Sequence, residues 1–69
     1  MKFNYFKLLG RLREWGYTQE ALAEAIGISK GTLSAKLNNQ YYFTQGEMIA
    51  ICKVLNIPHK EIPLYFFAV

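Results

Sequence analysis

Between Ser29 and Asn38 the sequence brings together small, hydroxyl, amide and lysine side chains at helical spacing. At about 100° per residue, the side of this segment opposite Leu33 and Leu37 carries no bulky group. Small residues let a helix backbone approach the base edges of DNA, while lysine, serine and asparagine supply donors and acceptors for reading them. We expect the following residues to contact bases: Ser29, Lys30, Gly31, Ser34, Ala35 and Asn38.

Each of these residues also has an ordinary structural explanation. Ser29 is a suitable N-cap, Lys30 is an ordinary solvated lysine, and small residues are tolerated on any exposed helix face. Gly31 argues against that simpler interpretation, because a glycine inside a helix costs about 1 kcal/mol relative to alanine. We expect some function to compensate for that cost.

A second set of residues surrounds this helix and offers neutral donors and a cation to phosphate groups, to which helix N-termini add backbone N–H groups. We expect phosphate contacts from Thr18, Gln19, Thr32, Lys36, Tyr41 and Tyr42. For the two tyrosines, the alternative that one packs on the core stays open. If only Lys30 and Lys36 of two subunits neutralise phosphates, the log–log salt dependence of binding has a shallow slope of roughly −4.

Helix-start signals define the elements that must position these side chains. An apolar residue precedes a capping residue at Asn4, Thr18, Ser29 and Thr44, and a second apolar residue follows five positions after the first, as in a hydrophobic staple. Asparagine or glycine ends each pattern. We predict helices at about 5–15, 19–26, 30–38, 45–55 and, ended by Pro63, a short 58–62, followed by a tail over 63–69.

The first helix has a buried stripe and a solvated face in this interpretation. The stripe consists of Tyr5, Leu8, Leu9, Leu12 and Trp15, and the basic residues Lys7, Arg11 and Arg13 are expected to be solvated. Farther along, Asn38 or Asn39 is expected to take the left-handed conformation that ends the third helix.

Composition fits one small all-α unit. The 69 residues are 52% hydrophobic and 16% aromatic, which is ample for folding. The chain has no apolar run of about 20 residues and no signal-peptide pattern, so we expect a cytoplasmic protein away from membranes. With one cysteine, one histidine and scattered carboxylates, we expect no enzyme activity, metal, cofactor or small-molecule ligand. The net charge of +3 is consistent with a polyanionic partner but too mild to establish one.

The aromatic residues of the tail have two possible roles. Tyr65, Phe66 and Phe67 either fold back onto Phe6 or form an interface with a second subunit. The helices at 19–26 and 30–38, joined by a turn at Gly27, read as a helix-turn-helix. We favour the dimer, because one such unit reads few base pairs and a two-fold dimer doubles that number.

The segments TQEALAEAIGIS, SKGTLSAKLNN and FTQGEMIAICKVLNI together resemble the lambda repressor and Cro class of phage helix-turn-helix regulators. Within that class they are most similar to small Cro-like proteins of temperate phages and prophages of Gram-positive bacteria. The resemblance implies a compact four- to five-helix lambda-repressor-like DNA-binding domain, in which Gln19 touches a phosphate. Two positions depart from the pattern: Asn39 replaces a usual glycine, and Lys36 stands where relatives bury an aliphatic residue, so Leu37 is expected to take over that packing.

The resemblance implies a sequence-specific transcriptional regulator, of the Cro-type repressor kind. The helix from Lys30 to Asn38 would enter the major groove of a pseudo-palindromic operator, with the protein acting as a homodimer on double-stranded DNA. The alternative is an antirepressor or protein-interaction module that keeps the fold and uses the tail or the small face of this helix. The sequence identifies no operator, no promoter and no direction of regulation.

Overall fold

The computed structural model describes residues 2–69, and every regular element in that range is helical. The elements are α1 (Phe6–Glu14), α2 (Gln19–Ile26), α3 (Lys30–Leu37), α4 (Gln45–Leu55), a 3₁₀ turn (His59–Glu61) and α5 (Ile62–Phe66). The predicted all-α fold class is confirmed. A three-residue turn joins α2 to α3, so these two helices form a helix-turn-helix.

Side-chain caps fix where α2, α3 and α4 begin. Hydroxyl oxygens accept backbone N–H hydrogen bonds at 3.0–3.1 Å: Thr18 from Ala21, Ser29 from Thr32, and Thr44 from Glu47. The Glu47 carboxylate accepts the Thr44 N–H at 2.9 Å and completes a capping box. At α1 the Asn4 side chain accepts the Phe6 N–H at 2.9 Å, while Tyr5 occupies the cap position itself.

A residue in the left-handed backbone conformation follows each of α2, α3 and α4. Gly27, with φ of 81°, makes the sharp turn from α2 to α3, a conformation that glycine adopts without the steric cost of a side chain. Of the two asparagines considered after α3, Asn39 takes this conformation, with φ of 64°. Asn56 does the same after α4, with φ of 53°.

The core draws fully buried side chains from every helix. Its largest members are Leu8, Leu22, Leu33, Ile51, Leu55 and Phe66. In it α2 packs against α3 and α4, and α1 packs against α5. The prediction that Trp15 belongs to the buried stripe is wrong: α1 ends at Glu14, the indole is 47% exposed, and the Arg11 guanidinium lies over it, 5.4 Å from the ring centroid.

Arg11 also departs from the expectation of a solvated side chain. Its Nε donates to the Leu55 carbonyl at 2.9 Å and its Nη2 to the Asn56 carbonyl at 2.6 Å. These carbonyls lie at the end of α4, where the helix leaves acceptors unpaired. Arg11 therefore joins α1 to the C-terminus of α4.

The tail is helical, which corrects two expectations. Pro63 does not end the fifth helix but lies in the first turn of α5, where its missing N–H has no partner to lose. Tyr65 and Phe66 are consequently buried in the chain's own core, at 5% and 1% exposure, instead of being free for a dimer interface. The tail does not cover Phe6, which is 78% exposed, and Phe67 remains 47% exposed.

Candidate macromolecule-binding face

The outward side of α3 is open, as its small residues predict. Lys30, Gly31 and Thr32 are exposed, while Ser34 and Ala35 are half-buried. A methyl group placed on Gly31 would meet no heavy atom within 4 Å beyond its own helix and chain neighbours. Nothing in the described chain therefore fills the space over this part of α3.

A groove of about 740 Å³ runs between α3 and the loop that follows it. Its lining consists of Ser29, Gly31, Thr32, Ala35, Lys36, Tyr41 and Tyr42. The groove brings together residues predicted to contact bases and residues predicted to contact phosphates. Five other candidates lie outside the lining: Thr18, Gln19, Lys30, Ser34 and Asn38.

The tyrosines form the outer wall of this groove. Tyr41 and Tyr42 are each 67% exposed, so neither is buried in the core. Tyr42 meets the ring of Phe3 edge-on, with 6.1 Å between centroids. On the floor, the Ser29 hydroxyl donates to Thr32 Oγ1 at 2.8 Å, so part of the hydrogen-bonding capacity predicted for base contact is already used within the chain.

Lys36 does not present a free charge to a phosphate, which corrects its predicted role. The residue is only 8% exposed, and its Nζ donates to the two carboxylate oxygens of Glu47 at 2.5 and 2.7 Å. Lys36 lies one turn after the fully buried Leu33, so its side chain runs inward toward the start of α4. Leu37 packs beside the core but stays half-buried and does not replace Lys36 in the buried position.

Glu47 is tuned by this contact. Burial alone would raise the pKa of its carboxyl group, but hydrogen bonds from Lys36 and Thr44 outweigh burial and bring the pKa below its ordinary value. The same carboxylate thus caps α4 and holds α3 against it. The spacing of Thr44 and Glu47 predicts the cap, whereas no sequence pattern predicts the ion pair with Lys36 on the neighbouring helix.

The charge of the helix-turn-helix is close to balanced. From Thr18 to Phe43 the sequence has two lysines and two glutamates, so the net charge of +3 resides in the rest of the chain. Because Lys36 is paired with Glu47, Lys30 is the cation left free within α2 and α3, and the exposed Glu20 and Glu24 lie on α2. The face around the groove is therefore polar and tyrosine-rich, with little positive charge.

Together the fold and this face define a small all-α domain with a helix-turn-helix and an open groove on α3. The chain belongs to the DUF739 family of proteins of unknown function, whose model matches residues 1–69. Its structure is similar to the solution structure of the modulator of repression (MOR) of the temperate bacteriophage TP901-1 from Lactococcus lactis. The two share 37% sequence identity with a TM-score of 0.82, over 97% of this chain and 90% of that one. No curated protein sequence matches the chain.

These similarities support the broader part of the sequence-based interpretation, a protein like a small phage regulator. The narrower assignment to the lambda repressor and Cro class stays a prediction, as do the individual DNA contacts other than that of Lys36. None of the helices in residues 2–69 is long and apolar enough to cross a membrane.

Proposed function

We propose that this chain modulates transcriptional repression by binding a DNA-binding regulator protein through the groove on α3. The observation that carries the proposal is the composition of the groove, with small polar residues on its floor and two exposed tyrosines on its wall. Tyrosine is enriched and charge is depleted at the centres of protein–protein interfaces. The similar phage protein is itself named a modulator of repression.

Electrostatics favours the same choice of partner. Proteins that bind DNA directly neutralise several phosphates, and here α2 and α3 leave only Lys30 for that purpose. The exposed carboxylates of Glu20 and Glu24 on α2 further reduce the positive charge that the helix-turn-helix offers to a phosphate backbone.

Calorimetric titration against each purified helix-turn-helix regulator of the same phage or prophage genome tests this proposal. We expect saturable binding to at least one of them, weakened about tenfold or more by Tyr41→Ala, as for an aromatic residue central to an interface. Trp15→Ala is the matched control, because Trp15 is also an exposed aromatic residue but lies outside the groove. Absence of binding to every regulator, or equal effects of the two substitutions, would exclude the groove as the binding site.

Direct, sequence-specific DNA binding by a homodimer is the second candidate function. It is favoured by the open space over Gly31 and the exposed Lys30 at the N-terminus of α3, where a recognition helix contacts bases. Selection from random double-stranded DNA tests it, and a pseudo-palindromic site is the expected product. Because Lys36 is paired with Glu47, only Lys30 of each subunit would neutralise a phosphate. The log–log salt dependence of binding should then have a slope of roughly −2 instead of −4. Failure to enrich any sequence would remove this candidate.

A further inference from the structure

Asn39 makes a paired contact with the N-terminal segment. Its Oδ1 accepts the N–H of Phe3 at 2.7 Å, and its Nδ2 donates to the carbonyl of Phe3 at 2.9 Å. The side-chain amide thus pairs with one residue's backbone as a neighbouring strand would, across a sequence separation of 36 residues. We call this pair of hydrogen bonds the Asn39–Phe3 clip.

Phe3 in turn touches the wall of the groove and the C-terminal tail. Its ring lies edge-on to Tyr42 at 6.1 Å and to Phe67 at 5.7 Å, centroid to centroid. The next residue, Asn4, donates its N–H to the carbonyl of Ala68 at 2.7 Å. The N-terminal segment is therefore held between the loop after α3 and the tail after α5.

The tyrosine wall has little else to hold it. The loop leaves α3 through the backbone bonds Asn39 N–H to Lys36 and Gln40 N–H to Ala35, and it becomes buried again only at Phe43. Between those anchors Tyr41 and Tyr42 are mostly exposed, and segments with so little buried surface are the ones that open locally.

We propose that Asn39 and Phe3 are positioning residues for the groove. The clip fixes the left-handed turn and the N-terminal segment against each other, and so holds Tyr42, and Tyr41 beside it, in place before a partner arrives. A wall ordered in advance spares the partner the entropic cost of immobilising it. The consequence for binding rests on the proposed function, whereas the consequence for the order of the wall does not.

The substitution Asn39→Gly removes the Asn39–Phe3 clip but keeps the left-handed turn. Glycine adopts the same positive φ without strain but makes neither hydrogen bond to Phe3. Asn56→Gly is the matched control, since Asn56 is also a left-handed asparagine that ends a helix and its side chain is exposed. Asn39→Asp retains an acceptor for the Phe3 N–H and loses the donor, and it serves for the same comparison if Asn39→Gly does not fold.

NMR relaxation supplies the first readout. In Asn39→Gly we expect the backbone order parameters of Tyr41 and Tyr42 to fall below about 0.6 and the ring contact between Phe3 and Tyr42 to disappear, while α1 to α4 stay ordered. Asn56→Gly is expected to leave the order of Tyr41 and Tyr42 unchanged. Unchanged order of the loop in Asn39→Gly would overturn the proposal, as would an equal loss of order throughout the chain.

Affinity for the regulator that titrates with the wild-type chain supplies the second readout. We expect Asn39→Gly to weaken it about tenfold, with Asn39→Asp between it and the wild type and Asn56→Gly unchanged, because two exposed tyrosines must then be ordered on binding. Unchanged affinity despite a mobile loop would overturn the role in binding. If the wild type binds none of the regulators, the proposed function fails, while the relaxation comparison still decides whether the clip positions the wall.

Discussion

The outer face of α3 and the aromatic cluster between the chain ends are built in opposite ways. The cluster, defined as Phe3, Tyr5, Phe43, Phe66 and Phe67, packs its rings at tilted or edge-on angles with centroids 5.5–6.3 Å apart. On α3, by contrast, the position over Gly31 is left open. The rings of the cluster leave a cavity of about 300 Å³ beside them, whereas the groove over α3 has about 740 Å³ and therefore more room for another molecule.

The largest expected effect comes from emptying the cluster. Phe66→Ala removes a ring that is 1% exposed, and we expect it to lower the free energy of unfolding by about 3–5 kcal/mol. Because a domain of this size has a total stability of about 3–10 kcal/mol, the variant will be marginally folded at best. Urea unfolding followed by circular dichroism measures the loss. Phe67→Ala, at 47% exposure, is the control and should lose much less; equal losses would contradict the division between core and surface rings.

An intermediate effect on stability is expected from Lys36, which lines the groove and pairs with Glu47. Lys36→Ala leaves the carboxylate of Glu47 partly buried without its cation, and we expect a loss of about 1–3 kcal/mol in the free energy of unfolding. Lys30→Ala, on the same helix but exposed, should change stability by no more than about 0.5 kcal/mol. Similar losses in the free energy of unfolding for both substitutions would show that the ion pair between Lys36 and Glu47 does not stabilise the fold.

The ion pair also gives stability a dependence on pH. Because the pKa of Glu47 is lowered by folding, its contribution is present above the ordinary glutamate pKa, about 4.3, and is lost as the pH falls through the lower folded value. Glu47→Gln should therefore be less stable than the wild type at neutral pH, with the difference shrinking below about pH 4. Unfolding curves from pH 2 to 7 check this, and a constant difference would show that the negative charge of Glu47 does not contribute to stability.

The smallest expected effect is that of Gly31→Ala, which should increase stability but decrease affinity for the partner. Gly31→Ala should raise the free energy of unfolding by about 0.5–1 kcal/mol, because the added methyl group meets no neighbour and stabilises the helix. The same methyl group occupies the groove, so affinity for the partner should fall. Parallel denaturation and titration measure both, and unchanged affinity would show that the partner does not use the open space over Gly31.

Local rules predicted much of this molecule. Capping at Thr18, Ser29 and Thr44 depends on residues three positions apart, and the sequence contains all of that information. Trp15 was placed wrongly because a helix that ends one residue earlier removes it from the buried stripe. The exposed face of α3 was predictable because its small residues follow the helical period.

What the sequence did not reveal are contacts between distant residues. The partner of Lys36 is 11 residues away on the next helix, and the partner of Asn39 is 36 residues away near the N-terminus. The two residues of each pair lie on different segments, and periodicity within one helix or strand does not indicate a contact between segments. The resemblance to the lambda repressor and Cro class indicates only that Asn39 stands at an unusual position, and the structure gives its side chain a contact with Phe3.

The hydrogen bond from Asn4 to Ala68 has a consequence for biosynthesis. As the nascent chain leaves the ribosome, α1 emerges first, but α5, against which it packs, emerges last. In α1, Leu8 and Leu12 therefore lack the helix against which α1 packs until α5 has left the exit tunnel. We expect this domain to fold in one late step once residue 68 is free of the exit tunnel, instead of helix by helix from its N-terminus.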